Sequence, residues 1–239
     1  MKTFADRIIA FNESLELTDP LPDGIRVMNP FRQAGSPVQE IARKFYRKYY
    51  DDQEKRHLIL AINPGRFGAG VTGIPFTDTK RLREVCGIDI PVPSTHEPSS
   101  VFVYRMIRAY GGVERFYRDF YIASVCPLGF VRTNDLGKEV NYNYYDSPDL
   151  ERAVKPFIMQ SLKKQLDLNL HTDICICWGK GKNYRFLEKL NRENSFFSRI
   201  LVLEHPRFIM QYRARQINSY IEKYLVAFRT LTGQVIISS

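Results

Sequence analysis

The sequence predicts an α/β domain of three layers, α/β/α, built around a central, mainly parallel four-stranded sheet. Four short runs, His57–Ile62, Phe120–Ser124, Thr172–Trp178 and Ile200–Leu203, are nearly continuous in apolar residues, the pattern of strands covered on both faces. Longer segments with apolar residues at helical spacing separate them, and parallel neighbours require such crossovers. A chain of 239 residues is enough for one good-sized domain with a full core.

Taken in order, helices are expected near Thr3–Leu15, Pro37–Tyr50, Pro98–Tyr110, Pro148–Leu168, Lys180–Asn191 and Arg213–Arg229. The N-terminal segment from Met1 to Leu15 is amphipathic, with charges at Lys2, Asp6, Arg7 and Glu13, and lacks the apolar centre of a signal peptide. No run approaches the ~18 consecutive apolar residues of a membrane span, so no membrane partner and a cytoplasmic location are expected. Internal repeats, low-complexity tracts and long linkers are absent from the sequence. Residues 1–230 are therefore read as a single domain. Residues 231–239 form a tail whose Gln234–Ile237 stretch is either an extra strand, which would need pairing, or disordered.

Hydrophobic residues make up 44% and charged residues 26%, ordinary values for a globular protein; aromatics are high at 13%. The formal net charge is +9, and between Trp178 and Arg229 eleven Lys/Arg stand against four Asp/Glu, a net of +7. Such a segment is either a solvated basic surface or the footprint of an anionic partner, with nucleic acid the first candidate. Cys175 and Cys177 share one face of a strand, but the sequence holds no CxxC pair. The four cysteines read as small buried hydrophobes in a reducing compartment, and neither a metal nor a cofactor is expected.

In parallel α/β folds ligands bind beyond the carboxyl ends of the strands. The loops there begin at Asn63-Pro64-Gly65, Cys126-Pro127-Leu128, Gly179-Lys180-Gly181 and His205-Pro206-Arg207. The first, continuing to Phe76, is rich in glycine and proline, a shaped turn that lets backbone approach a ligand. Asn63 is suited to orient a water, and Phe67 and Phe76 to offer a ring face. A phosphate-cradling loop is the competing reading, although GxxxxGK[ST] is missing. His205 alone reads as a structural histidine; together with the Asn-Pro-Gly loop it reads as a site residue.

The stretch Asn63 to Phe76 resembles the first motif of the single-strand-selective monofunctional uracil-DNA glycosylases, within the uracil-DNA glycosylase superfamily. Asn63, Pro64, Gly65, Phe67, Gly68, Thr72, Gly73, Pro75 and Phe76 all stand at that family's spacing. His205-Pro206 resembles the start of its second motif, and Cys126-Pro127-Leu128 a segment lining its base pocket. The chain reads as a divergent, bacterial-type member.

The resemblance implies a monofunctional glycosylase of base excision repair, which flips uracil or a related deaminated or 5-substituted base out of DNA and hydrolyses its glycosidic bond. Asn63 matches the residue that positions the hydrolytic water. His205 matches the donor to the charge developing on the departing base, and Phe76 the ring that stacks on it. Ile62, Gly65, Phe67 and Ala69 join Phe76 and Ser124 as base-binding positions, Ile62 and Phe67 through backbone N–H groups. The segment Arg207, Phe208, Ile209, Met210, Gln211 and Tyr212 is expected to be a wedge that holds the duplex open, with Arg213, Arg215, Lys180 and Lys182 on phosphates.

Two departures bear on the substrate. Ser124 stands where the family places a base-reading Asn, so weaker uracil discrimination is expected. Ala69 replaces a bulkier Met, leaving room for 5-substituted uracils, xanthine or hypoxanthine. The lack of an Asp between Ala61 and Phe76 sets the chain apart from the superfamily's most efficient branch. With no lysine placed for a Schiff base, no lyase step is expected. The partner is damaged DNA, single- or double-stranded, met by a monomer, nucleoid-associated if bacterial. The rival readings are a DNA-binding member without activity and a nucleoside or nucleotide hydrolase.

Overall fold

The computed structural model describes residues 1–33 and 35–233. Its elements run α1 (Phe4–Glu13), β1 (Ile25–Met28), α2 (Val38–Tyr50), β2 (Arg56–Ala61), α3 (Ala69–Thr72), α4 (Thr79–Glu84), α5 (Pro98–Tyr110) and α6 (Val113–Asp119). They continue with β3 (Phe120–Ser124), β4 (Gly129–Thr133), β5 (Glu139–Tyr142), α7 (Pro148–Leu166), β6 (Leu170–Trp178), α8 (Lys182–Asn194) and β7 (Arg199–Leu203). A helix α9 (Pro206–Tyr212), a 3-10 turn (Ala214–Gln216) and α10 (Ile217–Thr232) complete them.

The four expected strands form one parallel sheet in the order β3-β2-β6-β7. Its two faces are visible in one pair of neighbours. Phe120 packs on Phe228 of α10 at 4.6 Å between ring centroids, while Tyr121 meets Phe4 of α1 at 5.5 Å. Successive strand residues point to opposite faces, so α1 and α10 lie on opposite sides and the domain has three layers. All four cysteines are buried, free thiols within it. Because β3 and β6 flank β2, the chain reverses its direction of winding there, and the crevice at the β2/β6 switch is where such sheets bind ligands.

A second, antiparallel sheet, β1-β4-β5, was not expected. Its strands are only four or five residues long and mix charged with apolar side chains, as in Ile25-Arg26-Val27-Met28. The short helices α3, α4, α6 and α9 also lie below the length at which helical spacing is legible. Several expected boundaries shift by a few residues, two of them beside the site. Gly179, at φ 128°, and Gly181 hold the chain in a turn, so α8 begins at Lys182 and not at Lys180. The 3-10 turn delays α10 from Arg213 to Ile217. The domain boundary expected at residue 230 falls inside α10, which ends at Thr232. The stretch 234–237, read as either an extra strand or disordered, lies outside the described residues. No helix among the described residues is long and apolar enough to cross a membrane.

Candidate active site

The parallel ladder continues past the strand ends. Val125 N–H donates to Ala61 O at 2.9 Å and Cys126 N–H to Ile62 O at 3.1 Å, so the first and second loops leave the sheet side by side. Within the first loop the buried Thr72 hydroxyl contacts the carbonyls of Thr77 at 2.6 Å and Ile74 at 3.3 Å. Gly73 completes the turn at φ 72°, where a Cβ would stand 2.8 Å from the Phe31 ring. The loop thereby fixes Phe76 in a backbone conformation, φ 54°, that bulky residues rarely adopt. Strain of this kind persists only where surrounding packing over-determines it. Here Trp178, fully buried at the end of β6, meets the Phe76 ring edge-on at 5.1 Å.

Asn63 sits just beyond β2 with both ends of its amide held. Its Nδ2 donates to Pro64 O and to Tyr142 O, each at 3.3 Å, and Tyr144 N–H donates to its Oδ1 at 3.2 Å. The carbonyl oxygen retains a second lone pair for a water. Tyr142 and Tyr144 belong to the end of β5 and the loop after it, so the unexpected antiparallel sheet sets the orientation of Asn63.

His205 is the N-cap of α9, with Pro206 at the first helical position. Its Nδ1 accepts the N–H of Arg207 at 3.1 Å, so a neutral ring carries its proton on Nε2. Burial, and then the Arg207 guanidinium, push its pKa down to about 3. His205 is therefore a neutral Nε2–H donor at physiological pH. Its ring lies 5.5 Å from that of Phe76. Asn63, Phe76 and His205 line one pocket of 580 Å³, together with Ala61, Ile62, Pro64, Gly65, Ala69 and Ser124.

The sequence model of the uracil DNA glycosylase superfamily matches residues 47–229. The chain belongs to that superfamily. It is 28% identical over 146 residues to the single-strand selective monofunctional uracil DNA glycosylase of Mus musculus, covering 54% of this chain and 50% of that protein. The Bos taurus protein of the same name is 29% identical over 119 residues, covering 43% of this chain and 42% of its own. The chain spans about half the length of the curated relatives it matches. The crystal structure of wild-type Pedobacter heparinus SMUG2 is 54% identical and superposes with a TM-score of 0.95, covering 98% of this chain and 100% of that one.

Within this superfamily member the remaining expected residues fall into distinct places. Arg207, Phe208, Gln211 and Tyr212 form one face of α9 and line the pocket. Phe208 and Tyr212 are exposed, their rings 5.4 Å apart, with the Arg213 guanidinium 5.7 Å from the Phe208 ring. Ile209 corrects the wedge expected from the sequence. It is fully buried, on the opposite face of α9, and Met210 is half-buried against the core. The segment is a helix, so its residues cannot all face DNA. The Phe67 ring is likewise off the pocket wall, exposed to solvent beneath the Arg66 guanidinium at 4.8 Å. Lys180 pairs with Glu204 at 2.8 Å, as does Lys223 at 2.9 Å, which leaves Lys180 partly neutralised. Lys182 reaches the carbonyl of Tyr145, a pocket residue, at 3.4 Å, and Arg215 lies exposed in the 3-10 turn.

Sequence reasoning missed Glu97 and the segment Asn141–Asp146, both on the pocket wall. Asn141 Oδ1 accepts Arg66 N–H at 3.0 Å, a further tie between the antiparallel sheet and the glycine loop. The density of Asn, Tyr and Asp in Asn141-Tyr142-Asn143-Tyr144-Tyr145-Asp146 was the available signal. Among the described residues no group of three His, Cys, Asp or Glu side chains is placed to hold a metal ion.

Proposed function

We propose that this protein is a monofunctional DNA glycosylase of base excision repair, which hydrolyses the N-glycosidic bond of uracil or a related deaminated or 5-substituted base flipped out of DNA. The observation that carries the reading is the convergence of a held Asn63 amide and a neutral His205 N–H donor on the pocket walled by Phe76.

The chemistry follows from these groups. The extruded base stacks on Phe76. As the bond from C1′ to the base nitrogen breaks, its electron pair passes into the base and the sugar becomes cationic. His205 Nε2–H donates a hydrogen bond to the forming anion; a preorganised donor of this kind contributes about 10²–10³ in rate. Asn63 Oδ1 orients a water, whose oxygen bonds to C1′ and whose proton passes to solvent. An amide suffices because a cationic sugar needs a placed water more than a strong base. Among the described residues no lysine lines the pocket, which supports a reaction without Schiff-base formation and strand cleavage.

Phe208, Gln211 and Tyr212 on α9 support a wedge against the base stack, and Arg207, Arg213, Arg215, Lys180 and Lys182 support phosphate contacts. Ser124 offers one hydroxyl to the base, and Ala69 presents only a methyl group, which favours a broad range of bases including xanthine and hypoxanthine. The protein acts as a monomer in the cytoplasm, on nucleoid DNA if the source is bacterial.

The test is incubation with labelled oligonucleotides that each carry one uracil, hydroxymethyluracil, xanthine or hypoxanthine, followed by alkaline cleavage at abasic sites. Release by the wild type and its loss in H205A and N63A support the reading. Binding that falls steeply with salt, without release from any lesion, would sink it in favour of an inactive DNA-binding member.

A further inference from the structure

Glu97 directly precedes Pro98 at the start of α5, as His205 precedes Pro206 at the start of α9, and these two helices pack together. Both side chains line the pocket. His205 caps its own helix, but Glu97 does not. The fully buried Asp78 carboxylate serves the start of α5 instead, accepting Glu97 N–H at 2.8 Å and the Ser100 hydroxyl at 2.6 Å. The Glu97 carboxyl is left without a structural task.

It turns over the glycine loop into room that exists only because Gly68 has no side chain. A Cβ at Gly68 would stand 2.2 Å from Glu97 Oε2, and one at Gly65 would stand 3.9 Å from Oε1. Oε2 is sealed from solvent with no hydrogen-bond partner among the described residues. A carboxylate so placed loses its hydration without gaining donors, whereas the neutral acid fits. Burial first, and then the Asp78 charge, push the Glu97 pKa up to about 7, with Arg207 pulling it down. The other charged or titratable groups around it are Arg81 of α4, paired with Asp78 at 3.2 Å, His96, whose Nδ1 lies 3.9 Å from the same Asp78 carboxylate, Tyr145 and Asp146 on the pocket wall, and the neutral His205. DNA over the pocket mouth brings phosphate charge and excludes water, and both favour the protonated acid further.

We propose that Glu97 is a second hydrogen-bond donor to the flipped base, its acid O–H on Oε1 meeting a carbonyl oxygen or ring nitrogen while His205 Nε2–H meets another. The two donors share the negative charge that develops as the C1′–N bond breaks. Glu97 keeps its proton throughout, so the hydrolysis balances as before. The inference rests on the glycosylase reading.

The experiment measures single-turnover base release from about pH 5.5 to about pH 9 for the wild type, E97Q and E97A. The wild-type rate is expected to fall by about tenfold per pH unit once Glu97 titrates. E97Q donates through its amide at every pH, so its profile loses that fall. E97A is slower by about 10²-fold at the acid end and shows no fall either. An E97Q rate that is reduced but still parallels the wild-type profile would give Glu97 a packing role and overturn the inference. So would an E97A rate equal to the wild type. A wild type that releases no base at any pH is a separate result, which removes the glycosylase reading itself.

Discussion

His205 Nδ1 accepts the backbone N–H of Arg207 at 3.1 Å, and this bond decides what the imidazole can do. With Nδ1 occupied as an acceptor, the remaining proton lies on Nε2, on a ring that also lines the pocket. One contact therefore caps α9 and fixes the tautomer of the donor.

His205→Ala is expected to lower single-turnover base release by about 10²–10³-fold while leaving DNA affinity within a few-fold of the wild type. The pH dependence has a definite sign. The unfolded chain protonates His205 near 6.5, the folded chain only at about 3. The unfolded state binds more protons between those values, so the stability linked to His205 is present above 6.5 and is lost as pH falls toward 3. Thermal unfolding of wild type and H205A across acid pH reads this: the wild type loses more stability on acidification than the variant. Parallel losses would refute the assignment of a half-buried ring held neutral by the fold.

Asn63→Ala removes the acceptor of Tyr144 N–H and the oxygen assigned to the water. Base release should drop by about 10²-fold or more, since a misplaced reactant alone costs that much. Binding to an oligonucleotide carrying the lesion, followed by fluorescence anisotropy, should be largely retained. Loss of binding and rate together would point to a collapsed loop and not to a missing water.

Ser124→Asn restores a donor and an acceptor at a position 7% exposed on the pocket wall. Uracil release is expected to rise by about tenfold, and activity on xanthine and hypoxanthine to fall. Ala69→Met, which fills space in the same wall, should lower purine release more than uracil release. Competition between lesions in one reaction measures both, and an unchanged ranking would count against these two side chains as the basis of substrate range.

The two faces of α9 should separate in mutagenesis. Ile209→Ala leaves a cavity at a fully buried site and is expected to cost about 2–5 kcal/mol of stability in denaturant unfolding. Tyr212→Ala, at an exposed site beside Phe208, should leave unfolding unchanged and lower the rate on duplex more than on single-stranded substrate. A Tyr212→Ala protein with an unaltered duplex-to-single-strand ratio would remove Tyr212 from the wedge.

The sequence by itself determined the parallel sheet, because strands buried on both faces are apolar throughout, as Leu58–Ala61 and Cys175–Trp178 are, and helical segments separate them. It also determined which loops to inspect, since Asn63 and His205 follow strands closely, Phe76 closes the glycine loop that Asn63 opens, and the local geometry of all three is set by adjacent glycine and proline. What it could not carry were relationships between distant segments. The short β5 strand is stabilised by pairing with β4 and not by its own pattern, so the tie from Tyr142 and Tyr144 to Asn63 became visible only in three dimensions. The run from Arg207 to Tyr212 mixes basic, aromatic and apolar residues. Only its helical winding against α5 decides that Ile209 is core while Phe208 and Tyr212 face the pocket. Glu97 carries no signal in a chain with many exposed carboxylates; tertiary packing alone seals its Oε2 from water over Gly68 and pushes its pKa up to about 7.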